Sequence, residues 1–256
     1  MPNNLSLFLK LLLQAPKDLT SRKKIALLWR YANESYLFTQ SEGKIDKYRP
    51  ITYEYNDQAG FASGHYFHQD LLVASFIAHD KPQRHIDVGS RIDGFIAHVA
   101  SHRPIEVIDI RNLKPTPHQN IKFIQIDLSN HKNVEVEITD SISCLHAIEH
   151  FGLGRYGDPI DPLGHYKGFT NLIKMLKPKG KLYISFPIAN QSSVEFNAHR
   201  IFHPKDIFTW PNAADCLTLN RFDYVNDSGD LICNADVTNI PPNLKYGCGI
   251  YSFTKI

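Results

Sequence analysis

Residues 84–110 read RHIDVGSRIDGFIAHVASHRPIEVIDI. Residues 85–88 form a short apolar strand, the chain turns at Gly89, a second glycine follows at Gly94, and an amphipathic helix runs on through Ala100. A second strand, 105–110, contains Asp109. This is half of a nucleotide-binding βαβ unit. Glycine at the first strand-to-helix turn lets a cofactor approach the backbone, and an acid near the end of the second strand hydrogen-bonds a ribose diol. Asp109 lies 22 residues after Asp87, close to the roughly 20 this geometry needs. The glycines do not spell G-x-G-x-x-G, because Arg91 and Ile92 occupy the tight part of the turn and leave little room for a pyrophosphate. A nucleoside without phosphates, such as S-adenosylmethionine, fits better.

The reading extends downstream. Residues 121–127 (IKFIQID) predict a third strand ending in Asp127, an acid placed to reach the adenine exocyclic amine. Residues 141–145 predict a fourth strand, followed by HAIEHFGLGRYGDPIDPLGH. A helix over 166–176 then stops at Lys177-Pro178-Lys179-Gly180, before a strand over 181–186. A helix ending in Lys-Pro-x-Gly before an apolar strand resembles the same junction in class I S-adenosylmethionine-dependent methyltransferases, and residues 84–190 look like that family's core. The first motif departs from the family's acid-x-Gly-x-Gly-x-Gly, being Asp87-x-Gly89-x-Arg91-x-Asp93-Gly94 here. The resemblance implies an α/β, Rossmann-like sheet, mostly parallel with an antiparallel C-terminal hairpin. S-adenosylmethionine would be the cofactor: Asp87, Gly89, Ser90 and Gly94 at the turn, Asp109 on the ribose, Asp127 on the adenine.

Composition sets bounds. The 256 residues suffice for one large domain with additions, and 43% hydrophobic content is ordinary for a globule. A net charge of +2 gives no nucleic-acid footprint, and the run Arg22-Lys23-Lys24 reads as a solvated helix start. Cys144, Cys216, Cys233 and Cys248 are scattered, without zinc-knuckle or disulfide spacing, which points to a reducing, cytoplasmic setting. The apolar stretch 5–13 contains Lys10, is too short to span a bilayer and reads as a docking helix.

Residues 1 to about 45 have helical apolar spacing, and 46–64 are turn-rich and aromatic. Together, 1–64 read as an N-terminal helical extension. Residues 65–256 read as the methyltransferase-like domain, with a helix over 65–79, the core over 84–190 and a C-terminal hairpin region over 204–256. Within that last region a helix starts near Pro204, and strands are expected over 216–225, 231–234 and 249–254.

Histidine is abundant, 13 in all. Ligands of open α/β sheets bind beyond the carboxyl ends of the strands, which places His146, Glu149 and His150 after the fourth strand, and His199 and His203 after the fifth, at one crevice. Imidazole there accepts a hydroxyl proton or ligates a metal. His146-Ala-Ile-Glu149-His150 resembles the Glu-x-x-Glu-His of small-RNA and ubiquinone-pathway O-methyltransferases, where it holds a divalent ion. That resemblance implies a metal set of His146, Glu149, His150 and His199 or His203. A metal-free histidine base and a merely packing Glu-His pair remain alternatives. The H-x-x-E-H of inverted zinc peptidases needs a longer helix than Gly152 and Gly154 allow. The loop over 151–165 fixes an irregular path with glycine and proline; long loops at strand ends carry function, so Arg155, Tyr156, Asp158 and Asp161 are expected to meet a polar acceptor, with His199 and His203.

Taken together, GHYFHQD, DVGSRIDGF, VIDIR, HAIEHFGLGRYGDPIDP and NAHRIFHP resemble, over residues 57–210, a bacterial family catalogued as a domain of unknown function. That family is linked by analogy to methyl transfer and to surface-polysaccharide genes. The resulting expectation is an O-methyltransferase of a small polar acceptor, a sugar or glycan precursor, with His150 or His146 as base and Glu149 orienting it. A non-catalytic scaffold on the same fold is the rival. A nicotinamide oxidoreductase is disfavoured by the missing phosphate turn.

Overall fold

The computed structural model describes residues 4–14, 22–130 and 134–256. It divides into two compact units, Met1–Phe61 and Ala62–Ile256. In the first unit, helix α1 (Asn4–Gln14) lies on helix α2 (Arg22–Gln40). Leu7 and Leu11 meet Leu28 and Ala32, and Phe8 packs edge-on to Trp29 at 5.2 Å. A 3-10 turn, Tyr53–Asn56, is tied back to α2 where the Tyr55 hydroxyl donates to Glu34 at 2.6 Å and Arg30 lies over the Tyr55 ring. Residues 22–24 are the exposed start of α2. The part of the expected helical extension that falls on 1–3 and 15–21 lies outside the described residues. Among the described helices none is long and apolar enough to cross a membrane.

The second unit begins with helix α3 (His65–Asp80) and strand β1 (His85–Val88). The helix expected after Gly94 starts earlier, as a π-turn over Ile92–Ile96 that runs into α4 (Ala97–Ala100). Then come β2 (Ile105–Asp109), β3 (Ile121–Gln125), β4 (Thr139–Leu145), helix α5 (Gly164–Met175) and β5 (Leu176–Ile188). Residues 177–180 lie inside β5 but loop out of it. Register jumps from Thr139 opposite Leu176 to Ser141 opposite Lys181, and Lys179 takes φ 65°, so the expected turn is realised as a wide bulge. The loop expected after residue 190 contains a small hairpin, β6 (Ser193–Glu195) and β7 (His199–Ile201). In place of a helix near Pro204 stand a 3-10 turn, Asp206–Thr209, and the short α6 (Ala213–Cys216). Strands β8 (Leu217–Val225), β9 (Leu231–Ile232) and β10 (Gly247–Lys255) complete the chain.

The sheet order is β3-β2-β1-β4-β5-β10-β8-β9. The first five strands pair in parallel and the last three antiparallel. Helices cover both faces, which is why β1 and β4 are near-continuously buried rather than alternating. On one face, Val73 and Ile77 of α3 meet Phe95, Ile96 and Val99. On the other, Phe169, Leu172 and Ile173 of α5 meet Ile142, Ile184 and Phe186. The winding reverses between β1 and β4, and the crevice outside that switch point is where such sheets bind ligands.

A buried polar chain stitches the switch point together. His85 bonds the hydroxyls of Ser141 (2.8 Å) and Ser143 (3.1 Å), and Ser143 donates to Asp87 at 2.6 Å. Ser90 donates its hydroxyl to the same Asp87 oxygen at 2.5 Å and accepts the Leu145 N–H at 3.0 Å. Burial pushes the Asp87 carboxyl up to about 7 against its serine hydrogen bonds, and burial pulls His85 down to about 3.

Candidate functional site

The carboxyl ends of β1, β2, β3 and β4 border an open cleft with about 50 Å³ of enclosed volume. Gly89 forms its floor with φ 75°, and a Cβ there would come within 2.8 Å of the Ala147 methyl. The turn therefore needs glycine for conformation and for space. Asp109 and Asp127 stand on the same wall, followed by Arg111 and Ser129. One Asp127 oxygen accepts both the Ser129 N–H (2.9 Å) and the Ser129 hydroxyl (2.6 Å). The other, Oδ2, is buried with no hydrogen-bond partner. A buried acceptor left unpaired costs about 1–3 kcal/mol, so this oxygen is suited to a ligand donor. Asp109 is occupied differently: Arg111 donates its backbone N–H (2.8 Å), Nε (3.0 Å) and Nη2 (2.6 Å) to it, and its guanidinium covers the Tyr156 ring at 4.5 Å.

The other expected turn residues lie elsewhere. Asp87 and Ser90 are internal, bonded to each other and to β4, and hold the Gly89 turn from behind; they do not border the cleft. Gly94 backs onto α3, where a Cβ would fall 2.4 Å from Asp70.

Past β4, His146 (φ 49°) and His150 face the cleft with Phe151, Tyr156 and Asp158. His146 Nδ1 bonds Glu149 Oε1 at 2.8 Å, and His150 Nε2 lies 3.7 Å from that oxygen. Burial opposes charge on both residues, yet His146 holds Glu149 below the usual carboxylate range, and Cys248 first, with Glu149 after it, raises His146 well above an ordinary imidazole. His150 differs. Its Nδ1 lies 2.7 Å from the Ala198 carbonyl, and burial lowers its pKa. A carbonyl only accepts, so Nδ1 carries the proton and Nε2 the lone pair.

The expected metal set does not close. Among the described residues, His146, Glu149, His150 and His199 do not bring three ligand atoms within 4.8 Å of one another; the His150 and His199 rings are 6.4 Å apart, and His199 Nε2 sits 3.4 Å from Glu195 without hydrogen-bond geometry. The long loop engages most of its own polar groups. Asp158 accepts the N–H groups of Gly152, Gly154 and Tyr156, and Asp161 accepts the Leu163 N–H and pairs with Lys167 on α5. Arg155 donates to the Ala198 carbonyl at 2.9 Å, the acceptor it shares with His150. His203 accepts the Lys205 N–H in the turn before Asp206 and does not border the cleft. Tyr156 is the loop side chain that faces the cleft most directly, between Arg111 and Arg155.

Sequence reading gave no site role to Arg111, Ser129, His65, Tyr246, Cys248 or Arg200. The first two stand two residues after each acid, a spacing that signals local side-chain capture. Arg200 is 4% exposed and donates to the carbonyls of Glu149, Phe151 and Pro162, pinning the loop. His65 and Tyr246 stack at 5.3 Å, and His199 sits against Tyr246 at 5.6 Å. These rings border the histidine side because β10 inserts between β5 and β8, which no local motif announces.

A family model described as "Caenorhabditis protein of unknown function, DUF268" matches residues 107–207. No curated protein matches the chain. Among solved structures it is similar to the 1,6-didemethyltoxoflavin-N1-methyltransferase of Burkholderia thailandensis, bound to 1,6-didemethyltoxoflavin and S-adenosylhomocysteine. That match has 14% identity over 94% of this chain and 92% of that one, with a TM-score of 0.50. It is also similar to the cyclase SpnF, at 12% identity over 73% of this chain and 81% of that one, with a TM-score of 0.51. A methyltransferase and a cyclase on one architecture show that likeness at this level fixes the fold, and that the reaction has to be argued from the site. The fold is the Rossmann-like α/β sheet, mostly parallel with antiparallel C-terminal strands, that these two structures share.

Proposed function

We propose that the chain is an S-adenosylmethionine-dependent O-methyltransferase of a small polar acceptor, with a sugar or glycan-precursor hydroxyl as the substrate class. The observation that carries this reading is the unpaired, buried Asp127 Oδ2 on the cleft wall that also bears Asp109 and begins at Gly89. A carboxylate oxygen there suits the adenine amine, Asp109 suits the ribose diol once it shares or releases Arg111, and Gly89 leaves room for the methionine end. When bound, S-adenosylmethionine supplies an electrophilic methyl group.

The chain's own residues supply the rest. His150 is held by the Ala198 carbonyl with its Nε2 lone pair free, so it takes the acceptor hydroxyl proton. His146, bonded through Nδ1 to Glu149, is held in place beside the base. Arg155 braces the Ala198 carbonyl that orients His150, a positioning role. Tyr156, His199 and Tyr246 offer flat polar-rimmed faces of the kind that pack against sugar rings. The test is release of S-adenosylhomocysteine when the purified protein is given S-adenosylmethionine and a panel of monosaccharides and nucleotide sugars. Turnover with a hydroxyl acceptor is expected; transfer only to amines would overturn the O-methyl assignment.

A further inference from the structure

Next to the cleft, three side chains from separate elements converge: His65 at the start of α3, His146 after β4, and Cys248 in β10. One ligand-capable atom on each lies within 4.8 Å of the others, and among the described residues this is the one such group of three His, Cys, Asp or Glu side chains. Their environments leave the right atoms free. His146 Nδ1 is held by Glu149, so Nε2 is the nitrogen left over; it is buried, on a side chain 5% exposed, and has no hydrogen-bond partner. His65 is half-buried and stacks on the Tyr246 ring at 5.3 Å. The two imidazoles stack at 5.2 Å, 19° from parallel. Cys248 is fully buried, and its thiol makes long contacts, 3.5 Å to Gln69 Oε1 and 3.9 Å to the Gly249 carbonyl.

We propose that His65, His146 and Cys248 form a zinc site, with Glu149 as the carboxylate that orients His146. Two imidazoles and a thiolate are a donor set for zinc rather than for magnesium or calcium, which prefer oxygen. A ligating histidine whose second nitrogen bonds a carboxylate is the usual outer-shell arrangement. Zinc–nitrogen and zinc–sulfur bonds of about 2.0–2.3 Å in a tetrahedron put ligand atoms about 3.3–3.6 Å apart, so the side chains close by no more than about 1.5 Å. Binding releases the Cys248 thiol proton and any proton on His146 Nε2. Three protein ligands leave one tetrahedral position open, and His146 also borders the cleft. This set shares only His146 with the one expected from the sequence. Cys248–His146–Glu149 also has the order of a nucleophilic thiol triad, but the sulfur is wholly enclosed between β5 and β8, beyond reach of a substrate carbon.

The proposal is read on the whole chain without methyl donor or acceptor, so it stands or falls apart from the methyltransferase reading. Protein stripped with chelator is titrated with cobalt(II), then with zinc. The expected result is one equivalent bound, with an intense near-ultraviolet thiolate-to-cobalt absorption that zinc abolishes. Cys248→Ser should remove that band, and Glu149→Gln should retain it with affinity lowered about 10–100-fold. Should the serine variant fail to fold, His65→Gln, at a half-buried helix start, should lower cobalt affinity by at least as much while circular dichroism is unchanged. No thiolate band with folded wild-type protein, or a band unaltered by both substitutions, overturns the site. Rapid alkylation of Cys248 in native protein that takes up no metal overturns it too, in favour of a reactive thiol.

Discussion

The two sides of the cleft are built by different means. On the β1–β2–β3 side, each functional group is set by residues one or two positions away. Arg111 caps Asp109, Ser129 caps Asp127, and Gly89 turns directly out of β1. On the β4–β5–β10 side, the ties that orient the base, the loop and the histidine stack span the chain: His150 to Ala198, Arg200 to Phe151, His65 to Tyr246. A side made of local captures keeps its chemistry when the acceptor changes, whereas a side assembled from distant segments is where substrate specificity can diverge. The Gly89–Asp109–Asp127 wall is thus expected to tolerate loss of the far side, and the reverse.

The largest expected effect lies on the long-range side. His150→Ala should lower turnover about 10²–10⁴-fold while S-adenosylhomocysteine affinity stays within a factor of two or so of wild type. Steady-state kinetics beside calorimetry reads both, and a matching loss of cofactor affinity would dissolve the division between the two sides. Next comes Arg200→Ala. It leaves the carbonyls of Glu149, Phe151 and Pro162 without their buried donor, and at about 1–3 kcal/mol per stranded group the loss should be about 3 kcal/mol or more by urea unfolding. A loss near zero would mean that the loop is held by Asp158 and Gly152 alone.

The contrast also explains what could be read from the sequence. The turn at Gly89, the acids at Asp109 and Asp127 and the strand order carry local signatures, so the sheet and the residues lining this side of the cleft were legible. Even there the reading placed Asp87 and Ser90 beside the ligand, because spacing alone does not say that a side chain points inward to Ser143 and Leu145. The polar loop was legible as ordered, but not in its use. Asp158 borders the cleft and also clamps the loop, as Asp161 does by accepting the Leu163 N–H. Gly152 shows the cause: at φ 78°, a Cβ there would lie 2.0 Å from the Asp161 carbonyl oxygen, so the loop folds tightly on itself and consumes its own acids. Cys248, His65 and Tyr246 carried no signal, since the insertion of β10 beside β5 is a property of topology.

The smallest expected effect is on the acid side of the stability curve. Burial holds His165, packed on Tyr166 and Trp210, down at about 3, with Arg200 adding to the effect, and His85 at about 3. Each unfolded imidazole binds a proton near 6.5 that its folded form refuses, so stability should fall as pH drops from about 6.5 towards 3. Asp87 acts in the opposite sense. Its carboxyl, raised to about 7 from 3.8, favours the folded state at low pH, and that contribution is lost as pH rises through about 7. His165→Phe should therefore flatten the acid limb by at most about 1.4 kcal/mol per pH unit. Urea melts between pH 4 and 7 would show it, and an unchanged slope would mean that His165 titrates normally.

The central claim is that the local wall holds the cofactor, and calorimetric titration of S-adenosylhomocysteine into wild-type protein and Asp127→Ala tests it most directly. A charged hydrogen bond to the adenine amine contributes about 1.5–3 kcal/mol. The account predicts saturable one-to-one binding to wild type that weakens about tenfold or more in the variant. A folded wild-type protein that takes up no S-adenosylhomocysteine at millimolar concentration, or an Asp127→Ala protein that binds it as wild type does, would contradict it.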